Sequence, residues 1–219
     1  MMEIFPIARK IKEYQKAGQR LFATSSFQTH SVVLLHIISR IDPAIPVYFI
    51  NTGYHFAETI RFRDEVTRLL GLNMINLNPY VPKVMQRTAQ GNLLFTNDPD
   101  YCCYLNKVQP VENLFSFYDV WINGVRADQN QFRKQMAEEM PAQGNTLRYH
   151  PLLNWDRQSI EHYIARYNLP VHPLEQRGYK SIGCEPCTRP AQKDDQRGGR
   201  WSGMKKTECG LHNELINKK

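Results

Sequence analysis

Short apolar runs alternate with longer amphipathic segments along the first two thirds of the chain. The short runs predict four strands, at residues 21–24, 46–50, 74–77 and 120–123. The longer segments predict a helix that begins at Ser31, a second over residues 56–70 that stops at Gly71, and a third over residues 108–117. Strands that alternate with helices are typical of an α/β sheet and not of a helix bundle.

A fourth helix is predicted after Asp156, whose carboxylate is a suitable N-cap. It is expected to end before Pro170, and its inward face consists of Ile160, Tyr163, Ile164 and Tyr167. From residue 178 to residue 219 glycine, charged residues and cysteine dominate. We therefore expect an irregular, functional tail there and not a packed layer.

Composition fits one domain, or one domain with a small appendage, because 219 residues with 42% apolar content can build a substantial core. The formal net charge of +7 indicates an anionic partner such as a nucleotide, a nucleic acid or another acidic ligand. The longest apolar run, residues 32–38, is too short for a membrane span. The basic N-terminal stretch does not resemble a signal peptide, so we expect a cytoplasmic protein with reduced thiols.

The five cysteines form two close pairs and one remainder. Cys102 is adjacent to Cys103, Cys184 is three residues from Cys187, and Cys209 stands alone. Two pairs that the fold brings together are a ligand set for an iron-sulfur cluster or for zinc. The remaining thiol is a candidate nucleophile, because nearby positive charge makes the reactive thiolate available.

Spacing alone leaves three interpretations of the four paired cysteines open. Adjacent cysteines such as Cys102 and Cys103 cannot both bind one tetrahedral ion without backbone strain, which favours an iron-sulfur cluster over zinc. Zinc and unbound thiols remain alternatives.

Two segments after predicted strands suit an anion. The hydroxyl-rich stretch from Ser25 to Ser31 joins a strand to a helix N-terminus, where free N–H groups favour negative charge, although an ordinary N-cap loop has the same pattern. Asn51, Thr52 and Gly53 follow the next strand, at the sheet edge where open α/β sheets bind ligands.

Several motifs together resemble one family, the assimilatory adenylyl-sulfate and phosphoadenylyl-sulfate reductases. The resemblance runs from about residue 21 to residue 212. The motifs are Ser25-Ser26-Phe27 with Ser31, Asn51-Thr52-Gly53 with Glu58-Thr59, Cys102-Cys103 with Lys107, and residues 121–126, 181–188, 199–201 and 208–212. The cysteine-bearing stretches at 181–188 and 208–212 are the most specific of these.

The resemblance implies a fold and an activity. The fold is adenine-nucleotide α-hydrolase-like, a Rossmann-like and mostly parallel sheet flanked by helices. Residues 1–219 would form a single reductase domain, with a nucleotide-binding core at 1–177 and a cluster-binding loop and mobile catalytic tail at 178–219. The activity is the thioredoxin-dependent reduction of adenylyl sulfate to sulfite and AMP, with phosphoadenylyl sulfate as the alternative substrate.

The same resemblance assigns roles to residues. Cys102, Cys103, Cys184 and Cys187 would hold a [4Fe-4S] cluster. Catalysis would involve Cys209 as the nucleophile, Lys107 and His212, with docking of the tail as the alternative role of His212. Substrate binding would involve Ser25, Ser26, Phe27, Ser31, Asn51, Thr52, Gly53, Arg126, Arg197 and Arg200.

In the implied mechanism the Cys209 thiolate attacks the sulfate sulfur, AMP leaves, and an S-sulfocysteine remains. Thioredoxin then attacks Cys209 and releases sulfite. We expect this reductant to be a separate protein. The cluster is not needed as an electron carrier, so we expect it to act by charge and position, with Lys107 between cluster and substrate and with Glu185 and Thr188 hydrogen-bonding near the ligands.

Departures from the family pattern concern the loop and the substrate. Phe27 to His30 replace the glycine-rich loop of ATP pyrophosphatases, and Gln28 stands where the reductases usually have glycine. Asn51-Thr52-Gly53-Tyr54 resembles the phosphoadenylyl branch, whereas the paired cysteines resemble the adenylyl branch. Substrate preference therefore stays open, and so does a homo-oligomeric state.

Two rival functions fit part of the pattern. A thiouridine-forming tRNA enzyme would need the ATP loop that is replaced here. A zinc-bearing nucleic-acid-binding module would explain the charge and four cysteines but would leave Cys209 without a role. We therefore do not expect nucleic acid or a membrane to be the partner.

Overall fold

The computed structural model describes residues 4–191, 197, 199–201, 204, 206 and 208–213. Its described strands form one sheet in the order β3-β2-β1-β4-β6-β5. The strands are β1 (Leu21–Ser25), β2 (Val47–Ile50), β3 (Met74–Leu77), β4 (Val120–Asn123), β5 (Glu139–Pro141) and β6 (Leu147–Tyr149). All neighbouring pairs are parallel except β5 with β6. The expected mostly parallel sheet is confirmed.

Helices flank this sheet. They are α1 (Phe5–Lys16), α2 (Thr29–Ile41), α3 (Ala57–Leu70), α4 (Leu94–Asn97), α5 (Pro99–Cys103), α6 (Gln109–Glu112), α7 (Arg157–Arg166) and α8 (Gly210–Asn213). Short 3₁₀ turns lie between them, among them Arg133–Gln135 and Glu185–Cys187. Across these described segments, none of the helices has the length and apolar character needed to cross a membrane.

The four strands expected from apolar runs are present within one residue of their predicted ends. The sequence analysis did not predict β5 and β6, because each has only three residues and too few apolar positions to show a period. It also did not predict α1, which buries Ile7, Ile11 and Tyr14 behind a strongly basic exposed face.

Helix ends follow the expected capping chemistry with one shift. Gly71 ends α3 with a left-handed φ of 60°, and the Asp156 carboxylate accepts a hydrogen bond from the Ser159 N–H at the start of α7. Helix α2 begins at Thr29 and not at Ser31, so the loop between β1 and α2 is shorter than its hydroxyl-rich composition indicated.

The helix predicted over residues 108–117 is wrong in its start and regularity. Helical winding begins at Pro99 with α5, widens into a π turn at Tyr104–Val108, continues as α6 and ends as a 3₁₀ turn at Asn113–Ser116. Pro110 lacks the N–H that a regular α-helix would donate to the carbonyl four residues earlier, so the winding cannot stay uniform. π turns of this kind occur often at functional sites.

Two apolar layers sandwich the sheet. On one face Ala23, Val47 and Ile122 pack against the buried side of helix α2 and against α7. On the other face Phe22 and Trp121 pack against the helical stretch at 99–116, with ring centroids 6.2 Å apart and nearly parallel planes. The sheet therefore fixes the positions of α2 and of the segment that carries Cys102 and Cys103.

Strand order reverses direction at β1, which has β2 on one side and β4 on the other. At such a switch point the connections leave in opposite directions and open a crevice at the carboxyl ends of the strands. The predicted phosphate loop after β1, the turn after β2 and the segment after β4 all end at this crevice.

The core predicts a clear difference between two leucines in helices. Leu35 on α2 is fully buried, whereas Leu69 on α3 is 62% exposed. We expect Leu35→Ala to lower the free energy of unfolding by about 2–5 kcal/mol, because it leaves a cavity, and Leu69→Ala by less than about 0.5 kcal/mol. Urea denaturation of both variants checks this; equal midpoints would contradict the described core.

Candidate active site

A cleft of about 210 Å³ opens at the crevice where the strand order reverses. Its walls come from the ends of β1, β2 and β4, from the π turn, and from two parts of the tail, residues 180–184 and residues 197, 200, 209 and 211. The predicted site residues that line it are Ser25, Ser26, Ser31, Thr52, Lys107, Cys184, Arg197, Arg200 and Cys209. The fold thus gathers residues that lie far apart in the sequence into one site.

The hydroxyl loop after β1 is shaped by Phe27. Its backbone has a left-handed φ of 52°, which costs a residue with a side chain about 1–3 kcal/mol. Its ring is fully buried and packs edge-on against Phe49, with centroids 5.7 Å apart. Phe27 therefore anchors the loop in the core, while Ser26 and Ser31, whose hydroxyls lie 3.1 Å apart, face the cleft.

Gln28 connects this loop to the segment before Cys184. Its Nε2 donates to Ser26 Oγ at 3.2 Å, and its Oε1 accepts from the Ile182 N–H at 2.9 Å. The side chain that replaces the expected glycine therefore makes a contact that glycine could not make. Sequence reasoning identified Gln28 only as a departure, because its partner is 154 positions away.

The turn after β2 also reaches the cysteine segment. Thr52 Oγ1 lies 3.3 Å from Cys184 Sγ, and the Tyr54 carbonyl accepts from the Glu185 N–H at 2.7 Å. Asn51 and Gly53 do not line the cleft among the described residues; Asn51 bonds to Asn78 and its own turn instead. Thr52 is thus the member of this predicted trio that faces the cleft.

Four cysteines surround a second, smaller cavity next to the cleft. Cys102, Cys103, Cys184 and Cys187 all line it, and all are free thiols. Tyr54 lines the same cavity, and its buried hydroxyl has no hydrogen-bond partner among the described residues. Such an orphaned donor fits a cavity that receives a sulfur-rich group.

In the described part of the chain, no group of three or more His, Cys, Asp or Glu side chains is arranged to hold a metal ion. Burial, together with Cys103 and Cys184, raises the pKa of Cys102 to about 12, so its thiolate needs a nearby cation. Four thiols that line one cavity are the donor set that an iron-sulfur cluster or a zinc ion takes.

An amide pair supports the double cysteine from behind. Asn106 Nδ2 donates to the Cys102 carbonyl at 2.8 Å and to Gln86 Oε1 at 2.6 Å, and Gln86 Nε2 donates back to Asn106 Oδ1. Both amides are buried. The pair holds the π turn against residue 86, which sequence reasoning did not detect.

Lys107 lines both the cleft and the cysteine cavity. Its Nζ lies 3.9 Å from Cys103 Sγ. Burial alone would lower the pKa of Lys107, but the thiolates of Cys103, Cys184 and Cys209 outweigh it and raise that pKa. Negative charge on these sulfurs therefore favours the protonated form of Lys107.

Arg200 approaches the site from the segment after the cysteine loop. Its guanidinium lies over the Trp201 ring, 4.4 Å from the centroid, and Nη1 donates to the Ile182 carbonyl at 3.3 Å. The backbone N–H of Trp201 donates to the Cys187 carbonyl at 2.9 Å. The paired cysteines and the arginines of the cleft are thus parts of one folded unit.

Cys209 lines the cleft and is half-buried. Its N–H donates to the Glu208 carboxylate at 2.8 Å, and helix α8 begins immediately after it. The backbone of His212 belongs to α8, but its side chain lies outside the described residues, so its predicted role stays a prediction.

Arg126 lies outside the described cleft lining. It is buried, its Nε and Nη2 donate to the Asp128 carboxylate at 2.9 and 3.1 Å, and its Nη1 lies 3.0 Å from His30 Nδ1. Arg126 therefore ties the start of α2 to the segment after β4. Its predicted contact with a nucleotide stays a prediction.

Asn123 is a cleft residue that sequence reasoning quoted only within a motif. It ends β4, lines the cleft and is 3% exposed, yet neither polar atom of its amide has a hydrogen-bond partner among the described residues. A buried amide with a free donor and a free acceptor suits a ligand that offers both.

Comparison with known proteins identifies the family of this chain. Residues 20–190 match a model of the phosphoadenosine phosphosulfate reductase domain. The chain belongs to this family. The resemblance inferred from its motifs is thereby confirmed.

Relatives carry two names. The adenosine 5'-phosphosulfate reductase of Rhodococcus erythropolis is 39% identical over 82% of this chain and 74% of its own length. That of Chelativorans is 40% identical over 86% of this chain and 77% of its own length. The phosphoadenosine 5'-phosphosulfate reductase of Gloeobacter violaceus is 35% identical over 89% of this chain and 83% of its own length.

Solved structures share the fold. The crystal structure of phosphoadenylyl-sulfate reductase from Candida auris superposes with a TM-score of 0.66 over 78% of this chain and 83% of that chain, at 24% identity. An NH₃-dependent NAD synthetase from Campylobacter jejuni superposes with a TM-score of 0.52 over 77% of this chain and 71% of that chain, at 10% identity. The predicted adenine-nucleotide α-hydrolase-like fold is confirmed.

Within this reductase-family site, sequence reasoning missed several polar residues that only the fold brings together. Glu208 and Arg133 form a buried ion pair at 2.8 Å, and Arg133 and Lys180 line the cleft. Glu208 was part of a quoted motif, and its position beside Cys209 was the available signal. Arg133 follows an irregular stretch after β4 and carried no such signal.

Alanine substitutions at two glycines are expected to have contrasting effects on local packing. A Cβ at Gly199 would lie 1.9 Å from the Arg189 carbonyl oxygen, whereas a Cβ at Gly183 would meet only the end of the flexible Arg200 side chain at 2.5 Å. We expect Gly199→Ala to weaken the contact between Gly199 and the segment 188–191 and to speed amide hydrogen exchange in that segment about tenfold or more, since overpacking costs about 1–3 kcal/mol.

Gly183→Ala is the matched control, because Arg200 can move away. Exchange in the same segment should change much less. Equal protection in both variants, measured by hydrogen exchange with mass spectrometry, would show that Gly199 does not pack as described.

Proposed function

We propose that the protein reduces adenylyl sulfate to sulfite and AMP through an S-sulfocysteine on Cys209. One observation carries the proposal: Cys209 shares a cleft with the Ser26 loop and with the cations Lys107 and Arg200. The names of several relatives support this substrate, since they are adenosine 5'-phosphosulfate reductases.

The first step is a displacement at sulfur. The Cys209 thiolate attacks the sulfate sulfur, a sulfur-sulfur bond forms, and the bond from sulfur to the bridging phosphate oxygen breaks. AMP leaves with the bonding electron pair as an anion, so the step needs no general acid. A sulfonate remains on Cys209 Sγ.

Cations are needed because an anionic nucleophile approaches an anionic substrate. Lys107, Arg197 and Arg200 line the cleft, and preorganised donors of this kind contribute about 3 kcal/mol each to a transition state in a dry site. The planar arginine forks suit sulfate and phosphate oxygens. The hydroxyls of Ser26 and Ser31, near the N-terminus of α2, suit a further anionic group.

The second step restores Cys209. A thiolate of a thioredoxin-class protein attacks Cys209 Sγ, sulfite leaves, and the resulting mixed disulfide is resolved by the second thiol of the donor. The donor's dithiol supplies both electrons. Thiols of this kind stay reduced in the cytoplasm, which is the location we propose.

We further propose that Cys102, Cys103, Cys184 and Cys187 hold a [4Fe-4S] cluster. The support is the cavity that all four cysteines line, the Tyr54 hydroxyl in it that has no partner among the described residues, and the backbone strain that two adjacent cysteines would impose on a single tetrahedral ion. When bound, the cluster would supply iron ions, and the four thiolates would be their ligands. Residues 178–219 would then serve as cluster loop and catalytic tail of the same domain as residues 1–177.

Phosphoadenylyl sulfate is the second candidate substrate. The Gloeobacter violaceus relative carries that name. Lys180 lines the cleft, and its positive charge would favour an additional phosphate. Comparing the two nucleotides in the same assay decides the preference.

Cys209→Ser is expected to abolish the sulfonated intermediate but to keep the iron, because Cys209 does not line the cysteine cavity among the described residues. The measurement is the intact mass of anaerobically purified protein after mixing with either sulfonucleotide. The parent should gain one sulfonate on Cys209. Loss of iron from Cys209→Ser, or sulfite production by it, would overturn the assignment.

Cys102→Ser is the complementary variant. It should lose most of its iron and acid-labile sulfide and its broad visible absorbance, because it removes one of four cluster ligands. Iron and sulfide analysis, with zinc measured in the same samples, checks this. Colourless parent protein with stoichiometric zinc would contradict the cluster.

A further inference from the structure

Glu208 is a buried carboxylate that the proposed chemistry does not use. Its Oε2 accepts from Arg133 Nε at 2.8 Å and from Asn130 Nδ2 at 2.6 Å. Its Oε1 accepts from Arg133 Nη2 at 3.0 Å, from Arg197 Nη2 at 3.1 Å and from the Cys209 N–H at 2.8 Å. Burial opposes its charge, but the hydrogen bonds and charge of Arg133, with Arg197, lower its pKa to about 2.

The partners come from two different parts of the molecule. Asn130 and Arg133 belong to the segment after β4, where the Asn130 side chain also accepts from the Arg133 N–H at 2.8 Å. Arg197 and Cys209 belong to the tail. The Glu208 carboxylate therefore fastens the tail, at the residue before Cys209, to the segment that follows β4.

A second fastening of the tail also lies before Cys209 in the sequence. Lys206 forms an ion pair with Asp100 on α5, close to Cys102. In that pair the Lys206 side chain is 8% exposed and the Asp100 side chain 79% exposed, whereas the Arg133 and Glu208 side chains are 7% and 3% exposed. Water screens the exposed Asp100 carboxylate, so we expect Glu208 to be the stronger fastening of the two.

We propose that Glu208 is a positioning residue. Its carboxylate binds both the Arg133 guanidinium and the Cys209 N–H, and it thereby sets the position of the Cys209 thiol in the cleft. The inference rests on the proposed reaction at Cys209. It also assigns a second role to the same carboxylate, which holds the Arg197 guanidinium at the cleft wall beside the thiol.

A carboxylate is required by the donor set. All five groups around Glu208 donate hydrogen bonds, so a glutamine amide would point its own N–H donors at an arginine. Glu208→Gln should therefore release the tail while keeping the size of the side chain. Displacement of a reacting atom by about 1 Å costs a factor of about 100 in rate.

The test compares two readouts in Glu208→Gln. Single-turnover sulfonation of Cys209 at saturating adenylyl sulfate should fall about 100-fold, while the dissociation constant for AMP changes less than about threefold. Alkylation of Cys209 by iodoacetamide, followed by peptide mass spectrometry, should become several-fold faster. Asp100→Asn is the matched control, because it removes the exposed fastening, and should leave both rates near those of the parent.

The two readouts separate failure of this inference from failure of the proposed function. If the parent is not sulfonated, the proposed function fails, while the alkylation rates still test the fastening. Parent-like sulfonation or parent-like alkylation in Glu208→Gln overturns the inference. Should that variant not accumulate as folded protein, Asn130→Ala, which keeps both ion pairs, must show a smaller rise in alkylation; no rise overturns the inference.

Discussion

The positive charge of Lys107 beside the Cys103 sulfur is the interaction on which the rest of the site depends. The ammonium lies 3.9 Å from that sulfur and is in the wall between the cysteine cavity and the cleft. A cation in this place offsets the charge of buried thiolates on one side and attracts an anion on the other. Without Lys107, negatively charged sulfurs in the cysteine cavity and an anion in the cleft would have no ammonium between them.

Local backbone geometry makes this position available. The π turn at Tyr104–Val108 interrupts the winding between α5 and α6, and the Asn106 amide ties it to Cys102 and Gln86. A π turn adds a residue to the winding and so changes the direction in which later side chains point. The strand pairing of β1 with β4 then sets the distance from this turn to the hydroxyl loop.

Strands and long helices could be predicted from the sequence because their apolar periods are local. The runs at β1, β2 and β4 and the buried face of α2 are examples. The three-residue strand β6 pairs in parallel with β4, and β5 pairs antiparallel with β6; these partners are not visible in a local window. The π turn was missed for a related reason, since Pro110 marks an irregularity without saying which one.

Site residues that belong to short sequence motifs could be predicted, whereas contacts between residues far apart in the sequence could not. The five cysteines, Lys107 and the Ser26 loop were visible as unusual residue types at fixed spacing. The contacts of Gln28 with Ile182 and of Arg133 with Glu208 join residues that are 154 and 75 positions apart. In the sequence the polar side chains of Gln28, Arg133 and Glu208 look like those of ordinary surface residues, because their partners are far away along the chain.

The central claim is that Lys107 acts on the substrate and not only on the cysteine cavity. The most direct test is single-turnover formation of S-sulfo-Cys209 by Lys107→Ala at saturating adenylyl sulfate, with iron content and the dissociation constant for AMP measured on the same preparation. The account predicts a rate lower by several orders of magnitude at near-normal iron, with Arg126→Ala affected much less. A Lys107→Ala variant that reacts as fast as the parent would contradict it.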